Sequence, residues 1–313
     1  MSAKAGQAHR SQATVKKCTI LANTHVIPAL DARKLRDLSA DDVDRWLTGM
    51  AQSLSTRTLR EIMSVLKRAI TRAQARDKVK RNVVLLCEIP QGHTGRPPKS
   101  LTLQQAEALL SAADASAMHA YVVLSLLIGA RTEELRALTW SHVDLDGKPA
   151  TAAAPALPPS IMVWRSVRAG GDTKTKRSRR TLALPLRCVD ALRGHRIHQD
   201  VLRRQVGSRW QDNDLVFPSR VGTPCDASHV RREFRKVVEA AGLDSRAWAP
   251  RELRHSFVSL MSDAGVPVEH IARLVGHSGT ATTETVYRKQ IRPVLVEGAD
   301  AMDRIFPGTD SHA

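Results

Sequence analysis

The chain of 313 residues carries 48 lysines and arginines against 31 aspartates and glutamates, which gives a formal net charge of +17. So large a positive excess repels itself unless a polyanion lies nearby. It favours nucleic acid over an anionic membrane surface, because the sequence has no basic amphipathic anchor, no lipidation motif and no apolar run long enough to span a bilayer.

Four widely separated cysteines form no C-x-x-C pair, which argues against a zinc site or a disulfide framework and fits a reducing cytoplasm. Composition and charge therefore predict a DNA- or RNA-binding protein with no metal site.

The first part of the chain is predicted to be a small helical domain. Residues 1–13 are expected to be disordered, and helical patterning begins at Thr14. A second helix starts after Ser39, an N-cap residue followed closely by two aspartates. A third starts after Ser55 and is predicted to run to residue 79, with apolar residues at three- and four-residue spacing along one stripe. We assign this domain to residues 14–95.

The face of the third helix opposite the apolar stripe is strongly basic. Between Ser55 and Asn82 the sequence has nine lysines and arginines against two acids. A solvated face usually mixes both signs, so the one-signed enrichment favours contact with DNA phosphates, with a solvated face as the alternative. The predicted phosphate contacts are Arg57, Arg60, Lys67, Arg68 and Arg72.

A basic linker rich in glycine and proline, PQGHTGRPPKS, leads into a second domain, which we assign to residues 96–313 and which ends in a C-terminal tail. Thr102 and Gln105 form a capping box at its first helix. The stretches IMVWRSV and RRTLALP have strand character, and RAGGDTKTKRS between them predicts a β-hairpin tip. The remaining patterned segments are typical of helices, so the predicted fold class is mainly α with a small antiparallel β-sheet.

Three stretches of the second domain carry residues suited to chemistry. GARTEELRALTW contains Arg131, the hairpin tip contains Lys174, and the segment from PRELRHSF to VYRK contains Arg254, His277 and Tyr287. Arginine binds two phosphate oxygens at once, a phenol oxygen can attack phosphorus, and a lysine can protonate a leaving oxygen. The set suits phosphoryl transfer without a metal, although arginine and lysine are abundant enough here to leave structural roles open.

The order, spacing and local sequence of these stretches resemble the tyrosine recombinase, or phage integrase, family. GARTEELRALTWSHVDL is similar to that family's first arginine box, and RELRHSFVSLMSDAGVPVEHIARLVGHSGTATTETVYRK is similar to its second. The likeness extends from about Val15 to Ile305. It implies a helical core-type DNA-binding domain followed by a catalytic domain of the DNA-breaking-rejoining type, the two holding opposite faces of a duplex.

The resemblance implies a role for each matching residue. Arg131 and Arg254 would clamp the scissile phosphate, and Tyr287 would be the nucleophile that forms a 3′-phosphotyrosyl link. Lys174 would be the general acid for the departing 5′ oxygen, and His277 would bind the phosphate and help to orient the tyrosine. Because the covalent link keeps the phosphodiester energy, the resemblance implies no cofactor, neither metal nor ATP.

The second box departs from the family at its first position. Where the family has histidine, this chain has Arg251, which can donate to a phosphate oxygen but cannot act as a base near neutral pH. His255 points about 100° away from the second arginine on its helix, so we interpret it as a supporting residue. Glu134 would support the first arginine or be an ordinary acid of the helix face. Lys176 is the alternative to Lys174.

The implied activity is site-specific integration or excision of a mobile element, including a viral genome. The implied partners are double-stranded DNA attachment sites, a homo-tetramer assembled on them, and an excisionase or directionality factor; the implied location is the bacterial cytoplasm, at the nucleoid. A type IB topoisomerase-like activity and a decayed integrase that only binds DNA are the alternatives. Helices that begin near residue 14 leave no room for an arm-binding domain, so either the protein does without one or the chain begins downstream of it.

Overall fold

The computed structural model describes residues 12–94, 99–152, 154–167 and 179–276. The chain folds into two compact units, and the division lies between Pro97 and Pro98. Each unit has its own apolar core among the described residues.

The first unit is built of helices, and its core lies mainly between the third and fourth of them. Val43 and Leu47 from one helix pack with Leu66 and Ile70 from the next. The predicted N-cap Ser39 forms a capping box, since its hydroxyl accepts the N–H of the third helical residue at 3.2 Å. The elements are α1 (Gln12–Leu21), a π-helical stretch (Ala22–Val26), α2 (Ile27–Leu30), a 3-10 turn (Leu35–Asp37), α3 (Ala40–Ala51), α4 (Thr56–Gln74) and a second 3-10 turn (Val83–Leu86).

Helix α4 begins after Ser55, whose side chain accepts the N–H of Thr58, but it ends at Gln74, so the prediction that it continues to residue 79 is wrong. Asp77 adopts the left-handed conformation with φ of 55°, and the N–H of Lys78 returns to the carbonyl of Ala73 at 3.1 Å. This pattern closes a helix in the way that a glycine usually does. Four cations of the predicted basic face therefore follow the helix: Arg76, Lys78, Lys80 and Arg81.

The second unit is mainly α-helical with a three-stranded antiparallel sheet in the order β1–β2–β3, which confirms the predicted fold class. β2 and β3 are the predicted hairpin strands, paired with Ile161 opposite Leu182, whereas the two-residue strand β1 was not predicted. The elements are α5 (Leu103–Ala113), α6 (His119–Leu127), α7 (Thr132–Leu135), a 3-10 turn (Trp140–His142), β1 (Val143–Asp144), β2 (Ser160–Val163), β3 (Arg180–Ala183), α8 (Leu186–Val206), a 3-10 turn (Gly207–Arg209), α9 (Ala227–Ala240), α10 (Pro250–Asp263) and α11 (Val268–Val275).

Helix α6 lies at the centre of the second unit, packed against α5, α8 and α10. Its residues from Ala120 to Leu126 are all buried, as expected for the apolar run YVVLSLL. Tyr121 is 2% exposed and meets the ring of Phe217 edge-on, so it is a core residue. Because α6 leads directly into α7 and packs on α10, it holds the two arginine boxes next to each other.

Candidate active site

The GAR motif places Arg131 as the N-cap residue of α7, close to α10. Gly129 has φ of +59°, and a Cβ atom there would lie 2.5 Å from the ring of Phe257 in α10. Glycine is required for so close an approach in this backbone conformation. The sequence therefore brings the first arginine box against the helix that carries the second.

Glu134 fixes the orientation of Arg131. One carboxylate oxygen accepts the backbone N–H of Arg131 at 2.8 Å, and the other accepts its guanidinium Nη1 at 2.7 Å. Glu134 is 5% exposed, whereas 34% of the Arg131 side chain is exposed. The guanidinium is thus tethered at its inner side and open to solvent at its outer side.

Arg254 extends from α10 and is almost fully buried, with 8% of the residue exposed. Its Nη1 donates to the carbonyl of Gly129 at 2.7 Å, and its Nη2 donates to the carbonyl of Val275 at the end of α11. The Nη2 of Arg131 lies 3.5 Å from the next carbonyl, that of Gly276. The two predicted phosphate ligands therefore meet at consecutive carbonyls at the negative end of α11.

Arg180, the first residue of β3, is part of this site and was not predicted. Its side chain is 8% exposed, and its Nη1 and Nη2 donate to the two carboxylate oxygens of Glu134 at 3.2 and 2.9 Å. The sequence offered one signal, a pair of arginines directly after the hairpin tip. It could not say which of Arg179 and Arg180 points inward, because that depends on the strand's register.

The charges around Glu134 keep it ionised. Burial by itself raises the pKa of this carboxyl, but the hydrogen bonds and positive charge of Arg180, followed by those of Arg131, outweigh burial and lower the pKa to about 2. The alternative that Glu134 is an ordinary acid of the helix face is excluded for the described structure, since it is buried between two arginines.

Arg251 and His255 lie on α10 on either side of the second arginine. Arg251 is in the first turn, 68% of its side chain is exposed, and its Nε donates to the buried carboxylate of Glu252 at 2.9 Å. Arg251 is thus anchored at one end and open to a ligand at the other. Burial lowers the pKa of His255 below its ordinary value.

The described part of the chain does not include every predicted catalytic residue. Lys174, its alternative Lys176, His277 and Tyr287 all lie outside the described residues. Gly276, the last described residue, has φ of +67° and ends α11.

The basic face of α4 divides into two groups of cations. Arg57 lies 3.7 Å from Glu61, whose carboxylate also binds Lys17 of α1 at 2.7 Å, and Arg68 donates to the sulfur of Cys18 at 3.2 Å. Packing of α1 on α4 therefore engages one side of the predicted face. Four of the five predicted phosphate contacts are exposed: Arg57, whose side chain is 88% exposed, Arg60, Lys67 and Arg72.

Among the described residues, no three histidine, cysteine, aspartate or glutamate side chains lie together as a group that could hold a metal ion. In the same residues, none of the helices combines the length and the apolar character that crossing a membrane requires.

Comparison with known proteins gives a consistent result. The sequence model of the phage integrase family matches residues 99–291. An integrase from Streptomyces ambofaciens is 62% identical over 302 residues, which cover 96% of this chain and 77% of that protein. A tyrosine recombinase XerC-like protein from Caldanaerobacter subterraneus subsp. tengcongensis is 25% identical over 197 residues, which cover 60% of this chain and 50% of that one.

A solved structure resembles the whole described fold. The Tn1549 transposon integrase, in complex with transposon right end DNA, superposes with a TM-score of 0.72 over 97% of this chain and 96% of that chain. Its sequence identity of 18% is low, so the likeness concerns the fold alone.

Proposed function

The chain belongs to the phage integrase family, and we infer from this membership and from the site around Arg131 that it is a tyrosine-type site-specific DNA recombinase. The resemblance to this family that the two arginine boxes indicated is confirmed. One observation carries the proposal: the family match over residues 99–291 contains all six residues expected to be catalytic, from Arg131 to Tyr287.

We assign Arg131 and Arg254 to the scissile phosphate. Both guanidinium groups are held at adjacent carbonyls of α11, and Glu134 and Gly129 hold them from the other side. Pre-oriented cations stabilise the added negative charge of a pentacoordinate phosphorus without reorganising during the reaction. Arg251, exposed and anchored by Glu252, is proposed as a further phosphate ligand in place of the family's histidine.

The proposed reaction uses Tyr287 as nucleophile. Its phenol oxygen attacks the phosphorus, a 3′-phosphotyrosyl bond forms, and the bond from phosphorus to the 5′ oxygen breaks. Lys174 gives a proton to the 5′ oxygen, His277 hydrogen-bonds the phosphate, and the phenol proton leaves to solvent. Attack by a 5′-hydroxyl of the partner strand reverses the step, so the phosphodiester energy is retained and neither metal nor ATP is needed.

DNA binding is proposed for both domains, the core-type domain of residues 14–95 and the catalytic domain of residues 96–313. Arg60, Lys67 and Arg72 of α4 support a phosphate-binding face in the first, since three exposed cations lie on one helix outside its buried stripe. Arg57 and Arg68 are kept as flanking contacts.

The proposed reaction sets the assembly. Recombination of two duplexes cuts four strands, and each cut uses one Tyr287, so a homo-tetramer on paired attachment sites is proposed. The biological role is integration or excision of a mobile element at the bacterial nucleoid, with an excisionase or directionality factor as a further partner. The binding-only alternative is disfavoured, since the described site keeps both arginines and Glu134 in place.

Covalent capture tests this function. The protein is mixed with nicked duplexes made from the DNA that flanks its own gene, in buffer with chelator, and the mixture is stopped with denaturant. We expect a slowly migrating protein–DNA band that is lost in Tyr287→Phe, although this variant still binds the duplex. Tight binding without a covalent band in the wild type would favour the decayed, binding-only alternative.

A further inference from the structure

We propose that Arg180 is a positioning residue of this recombinase, which holds Glu134 in place and through it aims Arg131 at the scissile phosphate. The inference rests on the function proposed above, and no step requires Arg180 to touch DNA. It concerns a residue outside the set that the family resemblance implied.

Four described hydrogen bonds to Glu134 define the arrangement. Both terminal nitrogens of Arg180 donate to Glu134, at 3.2 and 2.9 Å, and the same carboxylate accepts both the backbone N–H and the guanidinium of Arg131. Arg180 is 8% exposed and Arg131 is 34% exposed in their side chains. Arg180 is therefore the inner partner of the carboxylate, and Arg131 is the outer partner that faces solvent.

The geometry requires an arginine and not merely a positive charge. A guanidinium presents two parallel N–H groups that match the two oxygens of a carboxylate, so it fixes the plane of Glu134 as well as its charge. The hydrogen bonds that Arg131 donates to Glu134 use specific oxygens, Oε2 for the backbone N–H and Oε1 for the guanidinium. Rotation of the carboxylate would therefore move Arg131.

Arg180 also supports the end of α11. A Cβ atom at Gly276 would lie 3.0 Å from its Nη1, so the guanidinium packs directly beneath this left-handed residue. The carbonyl of Gly276 is the one that Arg131 approaches at 3.5 Å. One buried side chain from β3 thus contacts both groups that border Arg131.

Among the described residues, the charges that face Glu134 from the elements packed on it are Arg131 at the start of α7 and Arg180 in β3. Removal of Arg180 leaves a buried carboxylate with one arginine in place of two. Its protonated form then becomes more favourable, because burial penalises the charged form. A protonated Glu134 loses its charge-assisted bond to Arg131.

The test compares Arg180→Met, Arg180→Lys, Glu134→Gln and the double variant Glu134→Gln/Arg180→Met with the wild type. Arg187→Gln is the control, since it breaks an exposed pair with Glu107 at 3.2 Å that shares no partner with Glu134 or Arg131. Rates of covalent capture are measured at saturating nicked duplex from acidic to neutral pH, and thermal unfolding verifies that each variant folds.

We expect Arg180→Met to lower the capture rate by about 100-fold, as for other small misplacements of a catalytic group. Its acidic limit, which is the pH below which the capture rate falls, should move to higher pH. Arg180→Lys should lose less rate and should keep the acidic limit of the wild type. Since Arg180 acts through Glu134, the double variant should lose no more than Glu134→Gln alone. A double variant in which the two losses multiply, or an unchanged acidic limit in Arg180→Met, would overturn the inference.

A second readout does not depend on cleavage. Carboxyl ¹³C signals of labelled glutamate are titrated in the wild type and in Arg180→Lys and Arg180→Met, with Glu134→Gln used to assign the signal. The proposal requires the titration of Glu134 to move to higher pH in Arg180→Met; an unmoved titration contradicts it. A wild type that forms no covalent complex would instead contradict the proposed function, so the two failures are distinct.

Discussion

The arginines of α4 and the arginines around Glu134 carry the same charge in opposite surroundings. Arg60 and Arg72 are exposed on a helix face, while Arg180 and Arg254 are buried and hydrogen-bonded to carbonyls or to a carboxylate. Exposed cations attract a polyanion through long-range, salt-screened interactions. Buried ones are held in one geometry, which is what stabilising a transition state requires. The first group should set affinity, and the second group should set the rate.

The largest expected effect concerns the buried arginines around Glu134. Arg254→Lys should lower the rate of covalent capture by about 100- to 1,000-fold, because a lysine cannot keep both carbonyl contacts and still present a fork to the phosphate. Affinity for the duplex, measured by fluorescence anisotropy, should change only slightly. A variant that loses affinity and keeps its rate at saturating DNA would break the distinction between the two groups.

The next effect concerns stability and tests the buried charges without DNA. The pKa of Glu134 in the folded protein is lowered from 4.5 to about 2, so its contribution is fully present above the unfolded value and is lost as pH falls towards the folded one. We expect the wild type to lose roughly 3 kcal/mol of unfolding free energy across this range relative to Glu134→Gln. Urea unfolding at a series of pH values measures the difference, and parallel curves for the two proteins would contradict the burial of an ionised Glu134.

The smallest effect separates cations within α4. Lys67→Gln should lower the slope of log affinity against log salt by about 0.9, the value for one phosphate contact. Arg68→Gln should change the slope less, because Arg68 already donates to Cys18. Arg193→Gln, an exposed arginine of α8 paired with Asp146, is the control. Equal slopes of log affinity against log salt for Lys67→Gln and the control would contradict the proposal that α4 belongs to the DNA-binding face.

Much of the fold followed from local chemistry. Capping residues marked the starts of α3 and α5, and the spacing of apolar residues along α4 matched its buried stripe of Leu59, Ile62, Leu66 and Ile70. The end of α4 was missed because Asp77 takes the left-handed conformation without the usual glycine. β1 was missed because its two residues are too few to show alternation.

The candidate site was also predicted only in part from the sequence. The order of the boxes indicated Arg131, Glu134 and Arg254 as candidate site residues, because motif spacing is a property of the chain, and the structure places the three close together. Arg180 could not be selected over Arg179, because the inward-facing residue is decided by how β3 pairs with β2 and where Glu134 lies. Long-range contacts of this kind become visible only in three dimensions.

The central claim, that this chain breaks DNA through one tyrosine, is tested most directly by identifying the residue that carries the DNA. The covalent complex is trapped on a nicked duplex and digested with nuclease and trypsin, and the nucleotide-bearing peptide is sequenced by mass spectrometry. The chain has two tyrosines, Tyr121 in the core and Tyr287. We expect the nucleotide on Tyr287 alone. A nucleotide on any other residue, or no adduct with a duplex that the protein binds tightly, would contradict the claim that Tyr287 is the nucleophile.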